Sequence, residues 1–463
     1  MAEDMNSPTG NHSVETPKVD RKGIFGWMLF DWAAQPFHTL LITFIFARYF
    51  AAEVAPDPET GQIWWGWMLA AVGISIALLS PVMGAIADAT GPRKPWMMGF
   101  SILAFFGATM LWFAEPGGYA LPVLFYFALA LIGVEFATVF NNAVMPDLVS
   151  REKLGRLSGN GWALGYVGGV VSLIVVLGFM VESSPGSGVT LLGFTPVLGL
   201  ADIPGGGERG TGPLTALWFF VFVLPFFLFT PDTPKRVKVS GAVSKGIKDL
   251  GKTIRSLPSR PSLFAFLGSS MFYRDALNGL FGFGGIYAGG VLGWGATQLG
   301  VFGIATAVTG AIGAWLGGKL DDRYGPKAVI TFSIIVLIAV CITVVTTDRN
   351  MVLLMPVTDT AGGFAPADIA FYMCGCLIGA AAGPIQAASR TLMADQAEDG
   401  QMTEAFGLYA LSGKATAFLA PALIAITTDL LDSQRLGITP VVVLFLIGLF
   451  LLPLVKQNRI VEK

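Results

Sequence analysis

The chain has 463 residues, 54% hydrophobic and 13% charged, with a formal net charge of −2 and a mean hydropathy of +0.66. A soluble domain carries about 25% charged residues, so the composition excludes an ordinary water-soluble enzyme and points to an integral membrane protein. No basic groove with interleaved aromatics speaks for a nucleic-acid partner. The three cysteines, Cys341, Cys374 and Cys376, and the two histidines make no metal set, since residues two apart on a helix point in different directions. No metal and no cofactor are expected.

Residues 1–22 are polar and read as a disordered tail without a cleavable signal peptide. About 20 apolar residues cross a bilayer, and by that rule twelve spans follow: 24–51, 63–87, 96–114, 120–145, 159–181, 214–230, 262–290, 296–318, 327–347, 367–393, 404–428 and 436–456. Residues 182–213, rich in Gly, Pro and Ser, read as a long outer loop. Residues 231–261 hold eight Lys/Arg between Lys235 and Arg260 and read as a cytoplasmic linker between two six-helix halves, 23–230 and 262–456, with a short tail at 457–463. Lys and Arg gather at 93–94, 151–156, 235–260, 319–327 and 456–463, while the opposite loops hold Arg209, Arg349 and Arg435. Both termini are therefore expected in the cytoplasm.

One loop occurs twice. Gly84, Asp88, Gly91 and Arg93 recur as Gly318, Asp322, Gly325 and Lys327, with identical spacing 234 residues on (84 to 318) and again between two apolar runs. Each residue type has a physical use. Gly84 and Gly318 let helices approach closely, and Asp88 and Asp322 can accept from the positive end of a neighbouring helix. Gly91 and Gly325, each before Pro, reverse the chain, and the basic residues favour the cytoplasmic side. The loop resembles the signature of the major facilitator superfamily between helices 2 and 3, its second copy falling between helices 8 and 9. A second repeat relates Met145, Asp147 and Gly159 to Met393, Asp395 and Gly407 at an offset of 248 (145 to 393). The loop after Asp147 is basic (Arg151, Lys153, Arg156) and the loop after Asp395 acidic (Glu398, Asp399, Glu404), so the two are expected to attract across a cytoplasmic seam. Asp147 and Asp395 join the loop residues as the expected conformational gate.

Ionisable groups inside a bilayer cost roughly 2.5–3.5 kcal/mol each on insertion scales and so call for an explanation. Span 1 carries Asp31, Gln35 and His38 as one stripe, and span 4 carries Glu135 and Asn142 on one face. Span 7 carries Arg274, Asp275 and Asn278, span 10 Gln386 and Arg390, and span 11 Lys414. Two readings stand side by side. In one, these groups bind substrate and protons: Arg274 for a carboxylate, and Asp31, Glu135 or Asp275 for an amine or a proton. In the other they are structural ion pairs, with Asp275 partnered by Lys414 or by neighbours of Arg274 and with Arg390 snorkelling to the interface.

Several stretches narrow the resemblance. Residues 31–37 (Asp-Trp-Ala-Ala-Gln-Pro-Phe), 87–96, 142–146, 158–169, 383–390 (Gly-Pro-Ile-Gln-Ala-Ala-Ser-Arg) and 406–414 (Phe-Gly-Leu-Tyr-Ala-Leu-Ser-Gly-Lys) together resemble the "unknown major facilitator" family, related to the fungal autophagy-linked vacuolar amino-acid effluxer. Tyr273-Arg274-Asp275-Ala276 departs from the aromatic-x-Asp-Gly pattern of those relatives. The resemblance implies an all-α membrane protein with twelve helices in two pseudo-symmetric bundles, in which helices 1, 4, 7 and 10 line a central cavity. It also implies transport of a small polar solute, amino-acid-like by analogy with the fungal relative, with protons as a candidate coupling ion, across a bacterial-type inner membrane. An exporter of lipophilic compounds and a non-transporting membrane scaffold are the alternatives, and an enzyme is not expected. No Gly-x4-Gly-Lys-Ser/Thr phosphate loop occurs, so ATP is not the expected driver.

Overall fold

A computed structural model describes residues 19–183, 186–233, 248, 251–252, 255–292, 294, 296–357, 365–398, 400–431 and 433–457. Residues 1–18 and 458–463 of the expected tails, most of the basic linker and Asp399 lie outside the described residues; Arg21 and Lys22, expected in the tail, already open the first helix.

Among the described residues there are twelve long helices, numbered here in chain order. The first half holds α1 (Arg21–Pro36, continued to Val54), α2 (Pro58–Thr90), α3 (Lys94–Met110), α4 (Ala120–Val144), α5 (Leu154–Phe179) and α6 (Gly206–Phe229). The second holds α7 (Pro261–Leu292), α8 (Ala296–Tyr324), α9 (Pro326–Val345), α10 (Pro366–Gln396), α11 (Met402–Ala415, resumed at Leu419–Leu431) and α12 (Thr439–Leu451). Eleven of these are long and apolar enough to cross a membrane. α7 is long enough, but Ser269, Ser270, Arg274, Asp275 and Asn278 dilute its apolar character.

The halves repeat one packing scheme. α1 packs on α5 and α6, α3 on α4 and α6, and α2 on α4; α7 packs on α11 and α12, α9 on α10 and α12, and α8 on α10. The halves meet along two pseudo-symmetric pairs, α2 with α11 and α5 with α8, with α4–α11 and α5–α10 contacts between them. This is the major facilitator arrangement of two six-helix bundles.

Helix starts follow local chemistry. Asp57 accepts the Thr60 amide at 2.8 Å ahead of Pro58, and Pro326 and Pro366 open α9 and α10, where a missing N–H costs nothing. Gly91 (φ 99°) and Gly325 (φ 83°) take the left-handed backbone that the two repeated loops need.

Three expectations change. α1 is not one regular helix: Pro36 lacks an amide, and the chain runs on in the wider π form from Phe37 to Phe44. α11 breaks at 416–418 because Pro421, in the first turn after the break, cannot donate to the preceding turn. α6 begins at Gly206, not 214. Its glycine-rich start packs against the Met180 carbonyl, and the buried Arg209 donates to Trp112 O at 2.7 Å and Pro204 O at 3.2 Å. After α9 a two-residue hairpin pairs Met351–Val352 with Met355–Pro356 through Leu353 and Leu354 in left-handed backbone.

Candidate functional site: charged layers between the halves

The two halves touch through backbone where α2 meets α11 and where α5 meets α8. A methyl group on Gly84 would stand 2.6 Å from the Thr403 carbonyl, and one on Gly318 would stand 2.6 Å from the Gly155 carbonyl. Gly407 and Gly159 supply the opposing surfaces, against Ser80 and Ala314. Small residues at these four places let helices from opposite halves approach to backbone distance.

At this end the two repeated loops make the same contact. Asp88 Oδ2 accepts the Glu404 amide at 2.9 Å, in the first turn of α11. Asp322 Oδ1 accepts the Arg156 amide at 3.0 Å, in the first turn of α5. Each carboxylate thus caps the positive end of a helix in the other half. Arg93 is buried and donates to Thr403 Oγ1 across the seam at 2.9 Å and to Asp147 within its own half at 2.6 Å, with Asp88 at 3.5 Å. Lys327, its counterpart by spacing, does not cross the seam. Its ammonium donates to Pro453 O at 3.0 Å and Val455 O at 2.8 Å at the end of α12, as Lys94 does to Phe227 O at the end of α6. Asp395 is buried at this same end. Of the two loops expected to attract each other, 151–156 and 398–404, Arg156 pairs with Asp322 and Glu398 with Arg260, each at 3.3 Å, while Asp399 lies outside the described residues.

Deeper in, Arg390 of α10 bridges the halves. Its guanidinium donates to Asp31 Oδ2 of α1 at 2.9 Å, to Asn142 Oδ1 of α4 at 3.1 Å and to the Ser158 carbonyl of α5 at 3.3 Å. Only 4% of the Arg390 side chain and 15% of that of Asp31 is exposed, so this is a desolvated pair and Arg390 does not snorkel. Trp27 and Trp162 flank the guanidinium at 5.5 and 5.1 Å from its carbon.

A second layer follows. Lys414 of α11 donates to Glu135 of α4 at 2.9 Å, and His38 and Arg274 lie within electrostatic reach of the same carboxylate. Arg274 donates to the Tyr409 carbonyl at 2.8 Å, with its carbon 4.2 Å from the Tyr409 ring centre, and has no carboxylate partner among the described residues. Gln386 donates to Tyr166 Oη of α5 at 3.3 Å. Gln35 is half-buried one turn from Asp31, and Asn278 is exposed one turn from Arg274. Asp275 stands apart from both layers: it is fully buried and accepts the Ala420 amide at 2.8 Å, pairing with neither Lys414 nor an arginine.

Sequence reasoning passed over Trp27, Trp162, Tyr166, Tyr409, Ser158 and Thr403. The glycine-rich run 155–169 was the available signal, since Gly161 and Gly165 lie against Asp31, and Gly155 and Gly159 against α8.

This architecture, with charged side chains bridging two pseudo-symmetric helical halves, is that of membrane transporters of the major facilitator type. The chain belongs to the family described as vacuole effluxer Atg22 like, which it matches over residues 67–462. It is 26% identical over 441 residues to the uncharacterized MFS-type transporter YxiO of Bacillus subtilis, covering 93% of this chain and 94% of that protein. It is 23% identical over 315 residues to autophagy-related protein 22 of Cryptococcus neoformans, covering 66% of this chain and 50% of that protein. Its fold is similar to that of the human organic anion transporter MFSD10, with a TM-score of 0.66 at 16% identity over 93% of this chain and 99% of that one.

Proposed function

We propose that the protein is a secondary transporter that moves a small polar solute bearing a carboxylate, an amino acid or related zwitterion, by alternating access of its two halves. One observation carries the solute class. Asp31 is matched by Arg390 and Glu135 by Lys414, which leaves Arg274, beside the second layer, as a cation with no carboxylate of its own in contact among the described residues. A guanidinium presents a planar fork suited to a carboxylate. A lipophilic cargo would leave that charge uncompensated. The family description as an effluxer favours export.

In this reading the end carrying Asp88 and Asp322 is cytoplasmic, as the Lys/Arg-rich loops favour. The described contacts there close the cytoplasmic side, and transport opens it by releasing the two caps and the Arg390 bridge. Protons drive the exchange, and the membrane is a bacterial-type inner membrane.

Thermal unfolding of the purified protein against a panel of amino acids, small carboxylates and lipophilic cations tests the solute class. A carboxylate-bearing ligand that raises Tm in the wild type but not in Arg274→Ala supports it, because a ligand that binds only the native state stabilises by mass action. Stabilisation by lipophilic cations alone, unaffected by Arg274→Ala, points to a drug exporter and overturns it.

A further inference from the structure

Asp275 of α7 is fully buried, and its two carboxylate oxygens have different surroundings. Oδ2 accepts the Ala420 amide at 2.8 Å, while Oδ1 has no hydrogen-bond partner among the described residues. The capped amide belongs to the first turn of Leu419–Leu431, the second piece of the broken α11. There the Leu419 amide is taken by Thr416 O, Pro421 has none and Ala422 bonds to Phe418 O, so Ala420 is the amide left over. Phe418, at the capping position, has no side-chain acceptor. Thr416 Oγ1, in the break itself, is likewise buried without a hydrogen-bond partner among the described residues.

Among the described residues no cation pairs with this carboxylate. On α7, Arg274 is directed to Tyr409 of α11, and Tyr273 shares a hydrogen bond with Ser389 of α10. On α11, Lys414 holds Glu135; on α10, Arg390 holds Asp31; on the turn Gln434–Gly437, Arg435 holds Asp348. α12 carries no titratable residue. Asp429, on the second piece of α11, lies nine residues beyond Ala420 (420 to 429), and its side chain is outside the described ones. An isolated carboxylate in such a place is relieved by becoming neutral. One free oxygen is too few for a hard metal cation, which takes several oxygen ligands.

We propose that Asp275 is a proton-binding site: in this conformation Oδ1 carries one proton taken from solvent, and loss of that proton loosens the break in α11 that immediately follows Lys414. A neutral acid can stay buried and keep accepting the Ala420 amide through Oδ2. An ionised one needs water or a cation, which reaches it only if the α11 break opens. Proton occupancy would thereby be tied to the helix whose first piece carries Lys414 to Glu135. The proton site stands on this geometry alone; only its use in coupling rests on the transport reading.

Infrared spectra of the purified protein at mildly acidic pH in H2O and D2O test it without any solute. The wild type should show the carbonyl band of a neutral carboxylic acid, shifted in D2O, lost in Asp275→Asn and kept in Asp31→Asn. A band of equal intensity in the wild type and Asp275→Asn overturns the proposal. Should Asp275→Asn fail to fold, amide exchange of the wild type across a pH series reads the same site. Protection over 419–422, corrected for intrinsic exchange, should fall as pH rises, and protection independent of pH overturns the proposal. Absence of solute uptake leaves both readouts intact, so failure of the transport reading and failure of this one are distinguishable.

Discussion

Asp31 of α1 and Arg390 of α10 meet across the seam between the two halves, 2.9 Å apart, with Asn142 and the Ser158 carbonyl completing the guanidinium's shell. The pair is desolvated on both sides, so its members depend on each other. Removing one partner of a buried pair costs about 3–5 kcal/mol, because the other charge is left uncompensated. Arg390→Gln should therefore lower Tm well beyond an ordinary surface change. Asp31→Asn added to Arg390→Gln should recover most of the loss, and a double-mutant cycle on Tm checks this. Additive losses would mean that the two residues act independently.

The Glu135–Lys414 pair has the same length, but 30% of the Lys414 side chain and 19% of that of Glu135 is exposed. Solvent screens it, and the stability attached to it should be about 1 kcal/mol or less. Lys414→Met should thus shift Tm far less than Arg390→Gln. Its effect should fall on transport, because Glu135, without Lys414, is left with His38 and Arg274 and competes with a carboxylate solute for Arg274. Comparing Tm with uptake in the two variants checks the separation.

Asp88 and Asp322 cap helices of the opposite half through equivalent contacts. A cap is worth about 1 kcal/mol, which is roughly a fivefold change in a two-state ratio. Asp88→Ala and Asp322→Ala should each shift the population toward opening of the seam end by about that factor. Distances between spin labels on α2 and α11 and on α5 and α8 would show it, and unchanged distance distributions in both variants would remove the caps from the gate.

The seam tolerates no side chain at Gly159, where a Cβ would run into the Ala314 carbonyl and Gly318. Gly159→Val should wedge α5 from α8. In a background with Cys341, Cys374 and Cys376 replaced by Ser, a reporter at Ser158→Cys, buried in the native seam, should become reactive to a water-soluble maleimide. A reporter that stays unreactive would mean that the contact yields without opening.

The repeated loop was legible in the sequence because glycine, aspartate and a basic residue at fixed spacing express local backbone needs: a left-handed turn, a cap and a close approach. The spans were legible from apolar length. The partners of the charges were not. Arg390 sits near the end of its span, where an isolated helix would let it snorkel, and only the approach of α1, α4 and α5 gives it Asp31, Asn142 and Ser158. Lys327 shares the spacing of Arg93, yet its longer-range neighbours are the carbonyls at the end of α12. The breaks in α1 and α11 had a visible cause in Pro36 and Pro421, but apolar run length ignores it. The early start of α6 was hidden by glycines that read as loop until packed on Met180.

Uptake of labelled amino acids and small carboxylates into proteoliposomes, with and without a proton gradient, tests the central claim most directly. Gradient-dependent movement of a carboxylate-bearing solute, lost in Arg274→Ala and in Asp31→Asn, is the expected result. Movement of none of these solutes under either gradient, by a protein that is folded and correctly inserted, would contradict it and leave the charged layers as a structural bridge between the halves.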